Sequence, residues 1–112
     1  MNISNRDFSP EFNNITITRN ANVYFDGGVT SRTIKFESGE INTLGMMQPG
    51  EYQFNTDKKE IMDIQLGKVN VLLPDQTEWR CFTAGDTFEV KVNASFQINA
   101  LSLIDYCSSF VD

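Results

Sequence analysis

The sequence predicts an all-β fold, a sandwich or a small closed barrel. Short apolar runs alternate with polar residues at a period of two. Glycine and proline break the chain at close, regular intervals. No stretch keeps a helical period long enough to form a helix of consequence. All three signals are clearest at residues 50–85, where runs at 52–55, 60–66, 69–73 and 78–82 are divided by turn-forming pieces at 56–59, 67–68, 74–77 and 83–86. Met62, Ile64 and Leu66 alternate with Asp63 and Gln65, and Val69, Val71 and Leu73 follow in the same manner. Such alternation turns one face of each strand to a core and the other to water.

Residues 1–19 are rich in Asn, Ser and Thr with one apolar alternation at Ile15 and Ile17, which predicts a loose N-terminal arm over residues 1–20, either partly flexible or adding an edge strand. The barrel domain then spans 21–112. Residues 23–25 form a strand entering the turn Asp26-Gly27-Gly28, and 29–36 follow. Ser38-Gly39 marks a hairpin, since glycine accepts the positive φ such a turn needs. The return strand is 40–47, in which Gly45 signals a bend, a bulge or the close approach of another backbone. Beyond residue 85, 87–92 alternates cleanly, Phe96 and Ile98 mark a further strand, 101–107 closes the domain, and 108–112 is read as a tail. The total is nine or ten strands in one domain, the size of chain that builds one core.

Composition narrows the chemistry. The net charge is −6, from nine basic and fifteen acidic residues, and the basic ones are scattered. A clustered positive surface is what nucleic acids and anionic membranes require, so neither is expected as a partner. No apolar run reaches the roughly 18 residues of a membrane helix, and the N-terminus has no signal-like apolar core, so a soluble, cytoplasmic protein is expected. The two cysteines, Cys81 and Cys107, are expected as free thiols. There is no histidine. This removes the commonest general base and metal ligand, and with them any Ser-His-Asp or Cys-His mechanism.

The motifs carry a family resemblance. NVYFDGGV at 22–29, TLGMM-x-x-GEY-x-F at 43–54, Glu60-x-Met62 with Gly67, VNVLLPD at 69–75, Trp79, AG-x-x-F-x-V at 84–90, Phe96 and the dipeptide Asp105-Tyr106 resemble the small single-domain cupins known as pyrimidine/purine nucleoside phosphorylases. The likeness covers residues 21–110. It implies a cupin-type β-barrel, a jelly-roll-like double-stranded β-helix. It also implies phosphorolysis of purine and pyrimidine nucleosides to free base and ribose 1-phosphate, with nucleoside and inorganic phosphate as partners. Cupins carry a first motif ending in glutamate, six residues and glycine, which Glu60 and Gly67 fit. Metal-dependent cupins place histidines before that glutamate and in the second motif. Here Thr56-Asp57-Lys58-Lys59 and Phe96 stand in those regions, so the resemblance implies no metal and no cofactor. Two departures stand out. The Pro-Gly of the second motif is Lys91-Val92, and Ser108 and Ser109 stand where relatives often carry a basic residue after a cysteine. Small cupins commonly pair through sheet edges, so a homodimer is expected.

The chemistry assigns roles to particular residues. Cleaving a glycosidic bond builds positive charge on the sugar, which a carboxylate stabilises. Glu60 is the catalytic candidate: the cupin spacing selects it, and it shares the parity of Met62 and Ile64 and so faces inward in a regular strand, with a solvated strand end after Lys58-Lys59 as the alternative. Tyr52 and Phe54 share a parity and serve either as pocket wall for a stacked base or as core. Arg32 and Arg80 are the candidate cations for phosphate, with a surface position as the alternative. Tyr106 offers a hydroxyl to a ligand or fills the barrel, and Trp79 is read as a core or dimer-interface anchor. Two further readings compete with the enzyme. One is a non-catalytic cupin binding a nucleoside or sugar; the other is a solid barrel acting only as a dimerisation module.

Overall fold

The computed structural model describes residues 10–112. Eleven strands follow one another: β1 (Thr16–Ile17), β2 (Asn22–Tyr24), β3 (Val29–Lys35), β4 (Ile41–Met47), β5 (Gly50–Asn55), β6 (Lys59–Leu66), β7 (Lys68–Leu72), β8 (Arg80–Thr83), β9 (Thr87–Val90), β10 (Ser95–Ala100) and β11 (Ile104–Val111). A 3-10 turn, Phe25–Gly27, joins β2 to β3. Among the described residues, no helix is long and apolar enough to cross a membrane.

The strands form two antiparallel sheets. Sheet A runs β1-β3-β4-β11-β6-β9, with β2 also paired to β3, and sheet B runs β5-β10-β7-β8. Turn chemistry fixes two connections: Gly39 in the β3–β4 hairpin and Gly67, where the chain passes from β6 of sheet A to β7 of sheet B, take φ of 94° and 95°, a region that side-chain-bearing residues avoid. The inward faces then meet. Ile64, Val69, Val71, Val90, Ile98 and Ile104 are fully buried in one apolar cluster, which Phe82 and Phe88 join with ring centroids 4.7 Å apart. This cluster fills the end of the barrel built by β7, β8 and β9.

The alternation of β6 holds for Met62 and Ile64 but fails at Leu66, which is 52% exposed. The register of β6 against β11 shifts between Asp105 and Tyr106, and this irregularity ends the inward run before Leu66. Ile61 is buried as well, because both faces of sheet A carry apolar residues; Ile34, Cys107 and Val111 are buried outside the core cluster. Near them the ring of Phe12 meets Phe36 edge-on at 5.1 Å. Residues 1–9 of the N-terminal arm lie outside the described residues.

Residues 108–112, read from sequence as a tail, are a correction. Residues 108–111 are the end of β11, the strand that pairs with both β4 and β6 at the centre of sheet A. Serine has low strand preference, but a strand bonded on both sides is held by its neighbours rather than by its own propensity. The strand at 87–92 likewise stops at Val90, and Val92 is exposed. Both cysteines are free, Cys81 exposed and Cys107 buried.

Gly45 of β4 marks a close approach. A Cβ there would stand 2.3 Å from the Thr30 carbonyl oxygen and 2.6 Å from the Tyr106 hydroxyl. The backbone oxygen cannot withdraw without breaking the β3–β4 pairing, and the Tyr106 ring is packed in the core. Gly45→Ala is therefore expected to lower the unfolding free energy by about 2–4 kcal/mol. A urea midpoint unchanged from wild type would refute the close approach.

Candidate functional site

At the end of the barrel away from Phe82 and Phe88, where Val29, Met47, Met62, Phe96 and Tyr106 of the apolar cluster line a wall rather than fill the space, β3, β4, β5, β6, β10 and β11 enclose a cavity of about 510 Å³. Its origin is legible in side-chain size. On the inner face of sheet A, Ser31, Gly45, Thr43 and Ser108 lie side by side across β3, β4 and β11. Small residues occupy positions where the other end of the barrel places Ile, Val and Phe, and the volume they leave is the cavity. A barrel with this hollow is not the solid dimerisation module that the sequence left open.

The wall from sheet B is aromatic. Phe54 and Phe96 are direct cross-strand partners, with ring centroids 5.5 Å apart and planes 28° from parallel. Phe25 stands edge-on to Phe54 at 5.5 Å. It sits at the cavity mouth beside Tyr24, and both are about half exposed. Phe25 and Asp26 adopt consecutive positive φ values of 53° and 54°, a strained conformation for a bulky residue. The turn thus sets an aromatic ring over the opening.

The wall from sheet A is polar. Glu60 enters it from the start of β6, opposite Phe110 of β11 and Val90 of β9. It is the one charged side chain lining the cavity among the described residues. Burial, and secondarily the negative Asp57, push its carboxyl up to about 7. No described residue gives it a hydrogen bond or an ion pair. Tyr106 is buried and lines the same wall, and its hydroxyl reaches the Thr30 carbonyl at 3.5 Å. Burial and then Glu60 raise its pKa well above the usual phenol value, while a hydrogen bond with Ser31 acts the other way. Ser31 in turn accepts a hydrogen bond from Asn22 at 3.2 Å.

The structure brings Glu60, Phe54 and Tyr106 to one cavity. It places the other three elsewhere. Tyr52 lies behind the aromatic wall, its ring 5.0 Å from Phe25 and its hydroxyl donating to the Gln48 carbonyl at 2.7 Å. Arg32 is exposed on β3, its Nε donating to the Arg19 carbonyl at 3.4 Å. Arg80 is exposed on the edge strand β8, its guanidinium 5.2 Å from the centre of the Phe82 ring. Trp79 precedes it in the chain and is also exposed. Sequence reasoning missed Ser31, Thr43 and Ser108. The parity of Val29 carries to Ser31, and that of Tyr106 carries to Ser108, so extending each alternation would have found both. Ser108, one of the departures from the family pattern, therefore faces the cavity. The other departure, Lys91-Val92, lies in an exposed turn where Lys91 pairs with Asp75.

A carboxyl held near 7 in a folded protein has a consequence for stability. The folded state binds that proton more tightly than the unfolded chain, whose glutamate titrates at its ordinary value of 4.5. Stability from this group is thus fully present below pH 4.5, falls as pH rises, and is lost above about 7. Relative to wild type, Glu60→Gln should gain about 2–3 kcal/mol at pH 8 and close to nothing at pH 4, read from urea unfolding at both pH values. An equal effect at both would contradict the buried, unpaired carboxyl.

Comparison with known proteins agrees with this architecture. A family model described as pyrimidine/purine nucleoside phosphorylase matches residues 19–110. A pyrimidine/purine nucleoside phosphorylase of Geotalea uraniireducens is 54% identical over 91% of this chain and 98% of its own length. That of Geobacter sulfurreducens is 52% identical over 90% and 97%. Among solved structures, a protein of unknown function from Acinetobacter sp. ADP1 superposes with a TM-score of 0.88 at 35% identity, covering 92% of this chain and all of the other. An RmlC-like cupin from Shewanella frigidimarina superposes at 0.65 and 18% identity over 79% of each chain, which identifies the fold as a cupin barrel.

Proposed function

Because the chain belongs to the pyrimidine/purine nucleoside phosphorylase family, we propose that it is an enzyme that splits purine and pyrimidine nucleosides with inorganic phosphate, releasing free base and ribose 1-phosphate. The observation that carries the mechanism is the opposition of two walls: the Phe54–Phe96 pair on sheet B and the Glu60 carboxyl on sheet A, across one cavity.

The base stacks on Phe54 and Phe96. Stacking engages the π-face that every base has, and it suits a site accepting both purines and pyrimidines. The sugar then lies toward sheet A, within reach of Glu60. The bond between the sugar and the base breaks with its electron pair going to the base nitrogen. Positive charge develops on the ring oxygen and anomeric carbon, and the Glu60 carboxylate stabilises it. A phosphate oxygen bonds to the anomeric carbon, and the proton that hydrogen phosphate gives up is matched, through solvent, by the proton the departing base takes up. Burial of the site strengthens the attraction between Glu60 and the cationic sugar beyond its value in water.

The ionised form of Glu60 does this work. With its carboxyl raised to about 7, it is mostly protonated at pH 6 and mostly ionised at pH 8. We also propose that the protein works as a homodimer. The uncovered edge strands β5, β8 and β9 offer unpaired backbone groups to a second copy, and a monomer in light scattering at micromolar concentration would dismiss this.

Release of free base from inosine and uridine, dependent on phosphate, tests the activity. The rate should rise with pH through about 7. Glu60→Gln should reduce kcat by roughly 100-fold or more and remove that rise. Phe54→Ala should raise KM for both nucleosides by about tenfold, as expected for a lost stacking contact. Tight binding of nucleosides with no turnover at any pH would instead establish a non-catalytic binding cupin.

A further inference from the structure

The aromatic wall and Glu60 place the base and the sugar but leave the phosphate without a site. No lysine or arginine lines the cavity among the described residues. The cavity wall nevertheless holds hydroxyl groups with nothing to bind. Ser108 is only 3% exposed, lines the cavity, and makes no side-chain hydrogen bond to any described residue. Thr43 lies directly opposite it in the β4–β11 register, lines the same cavity, and is also without a side-chain hydrogen bond to a described residue. Tyr106 is one inward step along β11, and its contact with the Thr30 carbonyl, at 3.5 Å, is at the limit of a hydrogen bond. A hydroxyl held away from water without a partner is costly to the fold, so a ligand that satisfies Ser108 and Thr43, with Tyr106 as a third donor beside them, is a physical explanation for their presence.

The polar groups divide by what they need. Ribose hydroxyls want an acceptor, and the ionised Glu60 carboxylate is one. Phosphate oxygens want donors, and the three hydroxyls supply them. Tyr106 keeps its proton, since burial and Glu60 both oppose its ionisation. The geometry also suits the displacement. The base rests on sheet B and the hydroxyls belong to sheet A, so a phosphate on them reaches the sugar from the side away from the leaving base. We infer that the hydroxyls of Thr43, Tyr106 and Ser108 form a cation-free seat for inorganic phosphate on the sheet A wall of the cavity. The inference rests on the phosphorolysis reading and assigns the second substrate its place within the same site.

Calorimetric titration of the full chain with inorganic phosphate and, separately, with inosine tests the seat, together with the KM for each in turnover. Ser108→Ala and Thr43→Val should each weaken phosphate binding and raise its KM by about tenfold, the value of a lost hydrogen bond to a charged group. Inosine affinity should stay within about twofold. Ser108→Thr, which restores a hydroxyl, should recover phosphate binding. Ser108→Ala should melt no lower than wild type, because it removes an unpaired buried hydroxyl, so a loss of affinity is not a loss of fold. The seat is overturned if phosphate parameters are unchanged in both variants, if inosine affinity falls instead, or if wild type binds no phosphate at millimolar concentration. Phosphate binding that is lost in Ser108→Ala, in a protein without turnover, would support the seat while refuting the reaction.

Discussion

Sheet A can wall a cavity because three of its strands present small or hydroxylated residues to the interior at adjacent positions. Gly45 is the strictest of these. It lets the Tyr106 ring lie flat against β4, with the hydroxyl beside the Thr30 carbonyl. Ser31, Thr43 and Ser108 extend the low surface to either side. A barrel of this size is ordinarily filled by its own side chains. Here Phe82, Phe88 and the buried aliphatic residues of β7, β9 and β10 fill one end, and no residue of β7, β8 or β9 lines the cavity. The closed end holds the two sheets together, and so the open end can remain hollow without collapse.

The hollow end carries an energetic load that a purely structural barrel would avoid. A carboxyl and a buried Ser108 hydroxyl that no described residue satisfies, together with a phenylalanine held at positive φ, all oppose folding. These features lie together around one cavity rather than being spread over the surface. Local conflicts of this kind mark sites retained for binding or chemistry at the expense of stability. The protein tolerates them because the closed end supplies a nearly complete apolar core.

Much of the barrel was readable from alternation and turn residues. Glu60 was picked out by the cupin spacing with parity in support and Phe54 by parity, and both line the cavity; parity survives wherever a strand is regular. Leu66 escaped it because the register shift against β11 is a property of two strands together and leaves no mark in one. The serines of β11 were hidden for a different reason. Their place in the sheet is imposed by β4 and β6, more than sixty and forty residues earlier in the chain, and their own composition argues for a loop. Arg32 and Arg80 show the limit of choosing residues by chemistry alone. Both have the charge that phosphate attracts, yet their side chains settle at the protein surface. A cavity that seats oxygen atoms with hydroxyls gives no composition signal, since Ser and Thr are common everywhere.

Thr56 has a role larger than its place at the end of β5 suggests. Its hydroxyl donates to the Lys91 carbonyl at 2.7 Å and accepts from the Ala94 amide at 3.0 Å, while its own amide donates to the Ala94 carbonyl at 2.8 Å. The turn after β9 is thereby clasped from outside, with Asn93 supplying the positive φ it needs. Apart from Asn93, a turn shaped by a distant side chain depends little on the residues along its own arc. The Lys91-Val92 departure becomes affordable for this reason, and the burden of specifying the loop moves to position 56. Over evolutionary time the loop is free to drift in sequence, while drift at Thr56 would be held back by a segment some thirty-five residues away.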